Sequence, residues 1–247
     1  MRETRIIMGM PISLAVLDAS VRQAHLDSVF DGFSAIDDQF SPFKETSEIS
    51  RFNRGEIARE ALSPKMQEVL ALCEKTKRET RGFFDIERPD GSLDPCGMVK
   101  GWAILGAARQ LKAMGFENFF VDAGGDIQCS GVSDEGEWTV GIRNPFNAEE
   151  IVKVITPKGA GVATSGNYIR GAHIYNPHTG QYGSDDIVSL TVIGPDVLEA
   201  DRYATAAFAM GREGIYFIER TRGLEGYEID AAGIARMTTG LEKYLPC

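Results

Sequence analysis

The chain has 247 residues, 43% hydrophobic and 25% charged, an ordinary globular composition with enough apolar material for one large core or two small ones. Its 26 Lys and Arg against 36 Asp and Glu give a formal charge of -10. That balance excludes a generic nucleic-acid binder, whose affinity rests on clustered cations, but leaves open a single anionic nucleotide held by a few local cations, backbone N–H groups and a metal.

The N-terminal stretch MRETRIIMGMPISLAVLD is apolar but interrupted at Gly9, Met10, Pro11 and Ser13, too broken for a signal segment or a membrane span. Cys73, Cys96, Cys129 and Cys247 lie far apart with no CxxC pair and read as free thiols, so a cytoplasmic protein without membrane insertion is expected. Residues 5–17 read as a strand bent at Gly9 to Pro11. Residues 19–38 carry Val21, Leu26, Val29, Phe33 and Ile36 at helical spacing. A turn-rich stretch follows at 41–56. Ser63-Pro64 then opens a second helix, with Met66, Val69, Leu70 and Cys73 on one side and an end near Gly82. A third helix is expected from about Met98 to Met114, stopped by Gly115. The segments FFVDAGG, EWTVGIR, EIVKVITP, GVATSG and DIVSLTVIG read as strands, and 197–210 as a small-residue helix ended by Gly211. Nothing marks a linker or an internal repeat, so a single domain over 1–247 and an α+β fold are expected.

Four constellations carry possible chemistry. In DPCGMVKGWA at 94–103 an acid, two glycines and a lysine surround a helix start whose N–H groups suit a phosphate; a plain helix start with an Asp cap and a solvated Lys100 explains them as well. Asp201 and Thr205, at i and i+4, place a carboxylate and a hydroxyl on one helix face, a hard-oxygen pair that suits magnesium, unless Thr205 simply bonds back to the preceding turn. The glycine turns VDAGGD and ATSGNY permit close approach of a ligand to the backbone, or are tight hairpins. GAHIYNPHTG holds two of the three histidines, and His173 is a possible general base.

Taken in order, MGM at 8–10, FSPFKETSEISRFN at 40–53, GFFDI at 82–86, DPCGMVKG at 94–101, VDAGGDI at 121–127, VATSGNY at 162–168, HIYNPHTG at 173–180, SLTVIGP at 189–195 and EADRYATAAFAMG at 199–211 resemble the ApbE family, the FAD:protein FMN transferases. The resemblance implies a T-fold-like α+β domain with mixed β-sheets and flanking helices. It implies a magnesium-dependent transfer of FMN from FAD to a Thr or Ser hydroxyl of an acceptor flavoprotein, with release of AMP. By the same resemblance FAD contacts fall on Met8, Phe43, Lys44, Glu45, Phe83, Phe84, Asp85, Asp94, Lys100 and Tyr175. The Mg2+ ligands fall on the Gly97 carbonyl and the side chains of Asp201 and Thr205. The catalytic set is then Lys100 on the pyrophosphate as a point charge, Asp201 on the metal and His173 as the candidate acceptor of the hydroxyl proton.

The sequence departs from the family pattern in three places: Asp94-Pro95-Cys96-Gly97 replaces a glycine-rich stretch, Asn176 stands where aspartate is common, and Asp122 where asparagine is common. Two further readings share these residues. An FAD pyrophosphatase would use water in place of the protein hydroxyl, and a non-catalytic FAD-binding protein could dispense with the metal.

Overall fold

The computed structural model describes residues 1–167, 171 and 174–246. In chain order it contains β1 (Arg2–Ile7), β2 (Met10–Val16), α1 (Gln23–Phe40), α2 (Glu48–Asn53), α3 (Pro64–Glu79), α4 (Cys96–Ala113), β3 (Phe119–Ala123), β4 (Asp126–Ser130), β5 (Val132–Ser133), β6 (Gly136–Glu137), β7 (Val140–Asn144), β8 (Asn147–Ile155), β9 (Gly161–Gly166), β10 (Tyr175–Asn176), β11 (Gln181–Tyr182), β12 (Ile187–Gly194), α5 (Val197–Ala209), α6 (Gly214–Arg220), β13 (Glu225–Asp230) and β14 (Ala235–Met237).

Local chemistry explains the main elements. Alternation along β2 turns Ile12, Leu14 and Val16 inward. The Ser63 hydroxyl caps α3 by accepting the Met66 N–H, with Pro64 at the first helical position. The expected first strand is instead a hairpin: Ile7 pairs with Met10, and Met8 and Gly9 form its two-residue loop at φ 55° and 70°. Positive φ at both loop positions matches the twist of the flanking strands, which is why a bend at Gly9 becomes a reversal.

Eight strands form one sheet in the order β1-β2-β3-β4-β9-β12-β13-β14, and every ladder among the described residues is antiparallel. The order contains a topological repeat. The hairpin β1-β2, a helical segment and the hairpin β3-β4 form one half; β9 with β12, the helices α5 and α6, and β13 with β14 form the other. The halves meet where β4 pairs with β9, through Ile127 with Val162 and Gln128 with Gly161.

Helix α4 packs on β3 and β4, α5 packs on β9 and β12, and the two helices lie against each other. One core, including Leu14, Phe30, Phe33, Met98, Ile104 and Phe119, fills the first half. Another, including Leu190, Val192, Ala204 and Phe208, fills the second. A third contains Ile127, Ile155, Val162, Ile193 and Tyr227. Because Val162 and Ile193 alternate with Ala163 and Val192 of the second core, the third core lies on the opposite face of the sheet.

Candidate functional site

The site is built where α4 and α5 touch. Gly97 and Gly101 lie one turn apart on α4 and face α5. A β-carbon on Gly97 would stand 3.4 Å from Thr205 Cγ2 and 3.8 Å from Thr205 Oγ1, and one on Gly101 would stand 2.8 Å from Asp201 Cβ and 3.0 Å from the Val197 carbonyl. The pairing of lower with higher numbers makes the helices antiparallel, and the two missing side chains let them approach. In consequence the Gly101 N–H donates to Asp201 Oδ2 at 2.8 Å. In a regular helix that N–H points at the carbonyl of Gly97, so the carbonyl and carboxylate oxygens expected at a metal converge on one donor.

Behind them Lys100 Nζ stands 2.6 Å from Asp126 Oδ2 and 3.6 Å from Asp201 Oδ1. Both carboxylates are buried, at 1% and 2% exposure. The Asp201 carboxyl is pushed up to about 7, by burial above all, with Lys100 opposing the rise and Asp126 adding to it. Asp126 Oδ1 accepts the Thr164 N–H at 3.0 Å, whereas Oδ2, for all its closeness to Lys100, has no aligned hydrogen bond. Asp126 is the site residue that motif reading passed over. Its signal is the acid that closes the motif VDAGGD.

The donor set fits a hard divalent cation: a buried carboxylate, a hydroxyl one turn on and a helix carbonyl, beside a buried oxygen without a hydrogen-bond partner. Among the described residues no three His, Cys, Asp or Glu side chains are grouped to hold a metal.

The other expected residues are spread over several elements. Asp94 pairs with Arg88, and its Oδ1 accepts the Cys96 N–H at 3.1 Å, ahead of the cap Pro95. Asp85 pairs with Lys77 at 2.6 Å. Phe83 is half-buried with its ring 4.3 Å from that of His178. The Phe84 ring, expected to face a flavin or adenine, is 2% exposed and packs behind Gly97, so the helix contact claims it instead. Phe43 is 83% exposed on the turn between α1 and α2. Beside it Lys44 pairs with Asp37 and with Asp38, and the Glu45 carbonyl accepts from Arg54 at 2.8 Å. Met8 occupies the strained first hairpin and packs on the first core. Tyr175 on β10 meets Tyr182 on β11 with ring centres 5.2 Å apart. Asn176 donates to the Ala209 carbonyl at 2.7 Å, a bond that an aspartate would not make. Asp122 accepts the Gly125 N–H, and burial raises its carboxyl. His173 lies outside the described residues.

The ApbE family model matches residues 8–88 and 86–227. The FAD:protein FMN transferase of Klebsiella pneumoniae (strain 342) is 33% identical over 163 residues, 62% of this chain and 47% of the relative. That of Escherichia coli (strain K12) is 27% identical over 241 residues, 90% of this chain and 67% of the relative. The chain thus spans about half the length of the first relative and two thirds of the second. The flavin transferase ApbE from Vibrio cholerae superposes with a TM-score of 0.87 at 21% identity, covering 99% of both chains. The ApbE protein of Thermotoga maritima gives 0.87 at 19% identity, covering 100% of this chain and 99% of the other. At such identities the structures speak for the fold, and the family match speaks for descent: the chain belongs to the ApbE family.

Proposed function

We propose that the chain transfers the FMN half of FAD to a Thr or Ser hydroxyl of an acceptor flavoprotein, releasing AMP, with Mg2+ bound at Gly97, Asp201 and Thr205. The observation that carries the reading is the convergence of Lys100, Asp201 and Asp126 at the first turns of α4, on a chain whose relatives are FAD:protein FMN transferases. The acceptor oxygen forms a bond to the FMN phosphorus as the bond from that phosphorus to the bridging oxygen breaks, and the bridging oxygen leaves on AMP. Bound magnesium would neutralise pyrophosphate charge and stabilise the leaving group. Lys100 holds the pyrophosphate as a point charge, and the N–H groups opening α4 face the same anion. The exposed Phe43 and the half-buried Phe83 offer aromatic faces to the ring systems. His173 is the proposed acceptor of the hydroxyl proton. Cys73, Cys96 and Cys129 are free thiols, and no helix among the described residues is long and apolar enough to cross a membrane. The free thiols accord with a reducing compartment and so with a cytoplasmic acceptor.

The test incubates the protein with FAD, with Mg2+ or EDTA, and with or without a peptide bearing an acceptor Thr or Ser. Magnesium-dependent gain of an FMN mass on the peptide with equimolar AMP is expected. Free FMN and AMP regardless of peptide would make the chain a pyrophosphatase, and intact FAD throughout would leave binding alone. Asp201→Ala is expected to abolish metal-dependent turnover while keeping some FAD binding; full activity in that variant removes the metal site from the reading.

A further inference from the structure

We infer that Asp126 makes FAD binding conditional on the metal, by holding Lys100 in a buried cluster with more acid than base until a divalent cation occupies the Asp201 side. The inference rests on the proposed reading of the site.

The geometry separates the two oxygens of Asp126. Its Oδ1 accepts the Thr164 N–H at 3.0 Å, and the Thr164 hydroxyl is bonded in turn to that of Thr191 at 2.9 Å, so the carboxylate is pinned to β9 across the central seam. Its Oδ2 is the closer of the two carboxylate contacts to Lys100 Nζ, at 2.6 Å against 3.6 Å for Asp201. Lys100 is thereby shared between two buried acids, and the half-buried Asp122 at the other end of the same turn adds a third, with Arg143 acting on it from β7. An incoming pyrophosphate meets this cluster with Lys100, its one central cation among the described residues, already matched. Binding therefore adds negative charge to a poorly hydrated region, where like charges interact strongly. A divalent ion beside Asp201 reverses the balance and lets Lys100 face the phosphates. Asp126 on this account touches neither ion nor substrate; it is a positioning residue that enforces the order of events.

Reciprocity of coupling makes the inference measurable, because whatever makes FAD prefer the metal-loaded protein also makes the metal prefer the FAD-loaded protein. Asp126→Asn keeps an acceptor for the Thr164 N–H and nearly the same volume while removing the charge. FAD affinity is read by quenching of flavin fluorescence at pH 8.5, without acceptor, in EDTA and in Mg2+, with intact FAD confirmed by chromatography. In wild type, binding is expected to be much weaker in EDTA. In Asp126→Asn, binding in EDTA tightens and the ratio of the two dissociation constants shrinks about tenfold, the size of a typical coupling between sites. Asp126→Glu, which restores the charge, is expected to restore the ratio. If Asp126→Asn does not fold, Asp126→Ser, neutral and still able to accept from Thr164, takes its place. A ratio unchanged in the neutral variant, with both constants raised alike, would show that Asp126 merely supports the fold and would overturn the inference while the site reading stands. Equal FAD affinity in EDTA and Mg2+ in wild type would overturn the metal site itself.

Discussion

Gly101 shows how one missing side chain makes a site. Its N–H reaches Asp201 Oδ2 because α5 approaches to a distance at which a β-carbon would meet Asp201 Cβ at 2.8 Å and backbone at 3.0 Å. Gly101→Ala is therefore expected to push the helices apart, costing about 1 to 3 kcal/mol of stability by overpacking and weakening metal-dependent turnover. Gly106, on the same helix, is exposed with nothing within 4 Å of its would-be β-carbon. Gly106→Ala should stabilise the protein by about 0.5 to 1 kcal/mol through helix propensity. Chemical unfolding of both variants beside an activity assay checks the pair, and equal behaviour of the two would remove the packing argument. At this scale the sequence was informative about residue types in order. The i, i+4 spacing of Asp201 and Thr205 was legible, and so was the lysine at a helix start. What a linear reading could not supply was that Asp126, 26 positions after Lys100 and 75 before Asp201, shares that lysine, since the pairing exists only once β4 lies beneath α4.

Between elements, the strongest polar tie near the site is Arg202, which is buried. Its guanidinium donates to both carboxylate oxygens of Glu199, at 2.9 and 2.6 Å, and from Nη1 to Glu79 at 2.5 Å and to the Thr76 hydroxyl at 3.0 Å. Tyr203 adds a hydroxyl to Glu79 at 3.1 Å. The fork thus clamps the end of α3 to the start of α5, one residue from Asp201. Arg202→Ala leaves those partners unmatched around a buried void and should cost about 3 kcal/mol or more. Arg202→Lys keeps the charge but not the fork and should fall between wild type and Ala. Urea unfolding reads the stabilities; a Lys variant as stable as wild type would mean that charge alone suffices. The elements themselves were unevenly visible. Helices α1 and α3 are legible from apolar spacing, and α4 and α5 from the glycines that stop them, whereas α2 hides in a turn-rich stretch because six residues are too few to display a period. The two-residue strands β10 and β11 hid for the same reason. Strand β4, the tract DIQCS, alternates polar and apolar residues yet buries all but its last, and at five residues with an acid at its head it gives a weak strand signal.

Across the whole molecule, the topological repeat leaves no trace in composition, because the two halves put unlike numbers of helices between similar hairpins. It matters for function because α4 belongs to one half and α5 to the other, so the site exists only while the seam holds. That seam has a short β-ladder, and the buried side chain of Gln128 ties across it. The Gln128 amide oxygen accepts the Val197 N–H that opens α5, at 2.9 Å, and its nitrogen donates to the Gly159 carbonyl at 2.9 Å. The neighbouring strand residue must be glycine, since a β-carbon on Gly161 would stand 1.9 Å from the Val197 nitrogen. Gln128→Ala strands a donor at the first turn of α5 and a carbonyl beside it, each costing about 1 to 3 kcal/mol when buried without a partner. The variant is expected to unfold at lower temperature and to bind FAD in Mg2+ less tightly, because the helix carrying Asp201 and Thr205 loses its anchor to β4. Because Gln128 touches no proposed ligand, the FAD effect tests the coupling of seam to site. Thermal melts and flavin-fluorescence titrations on one preparation separate the cases, and a variant that melts early yet keeps wild-type affinity would show that α5 holds its place without the seam.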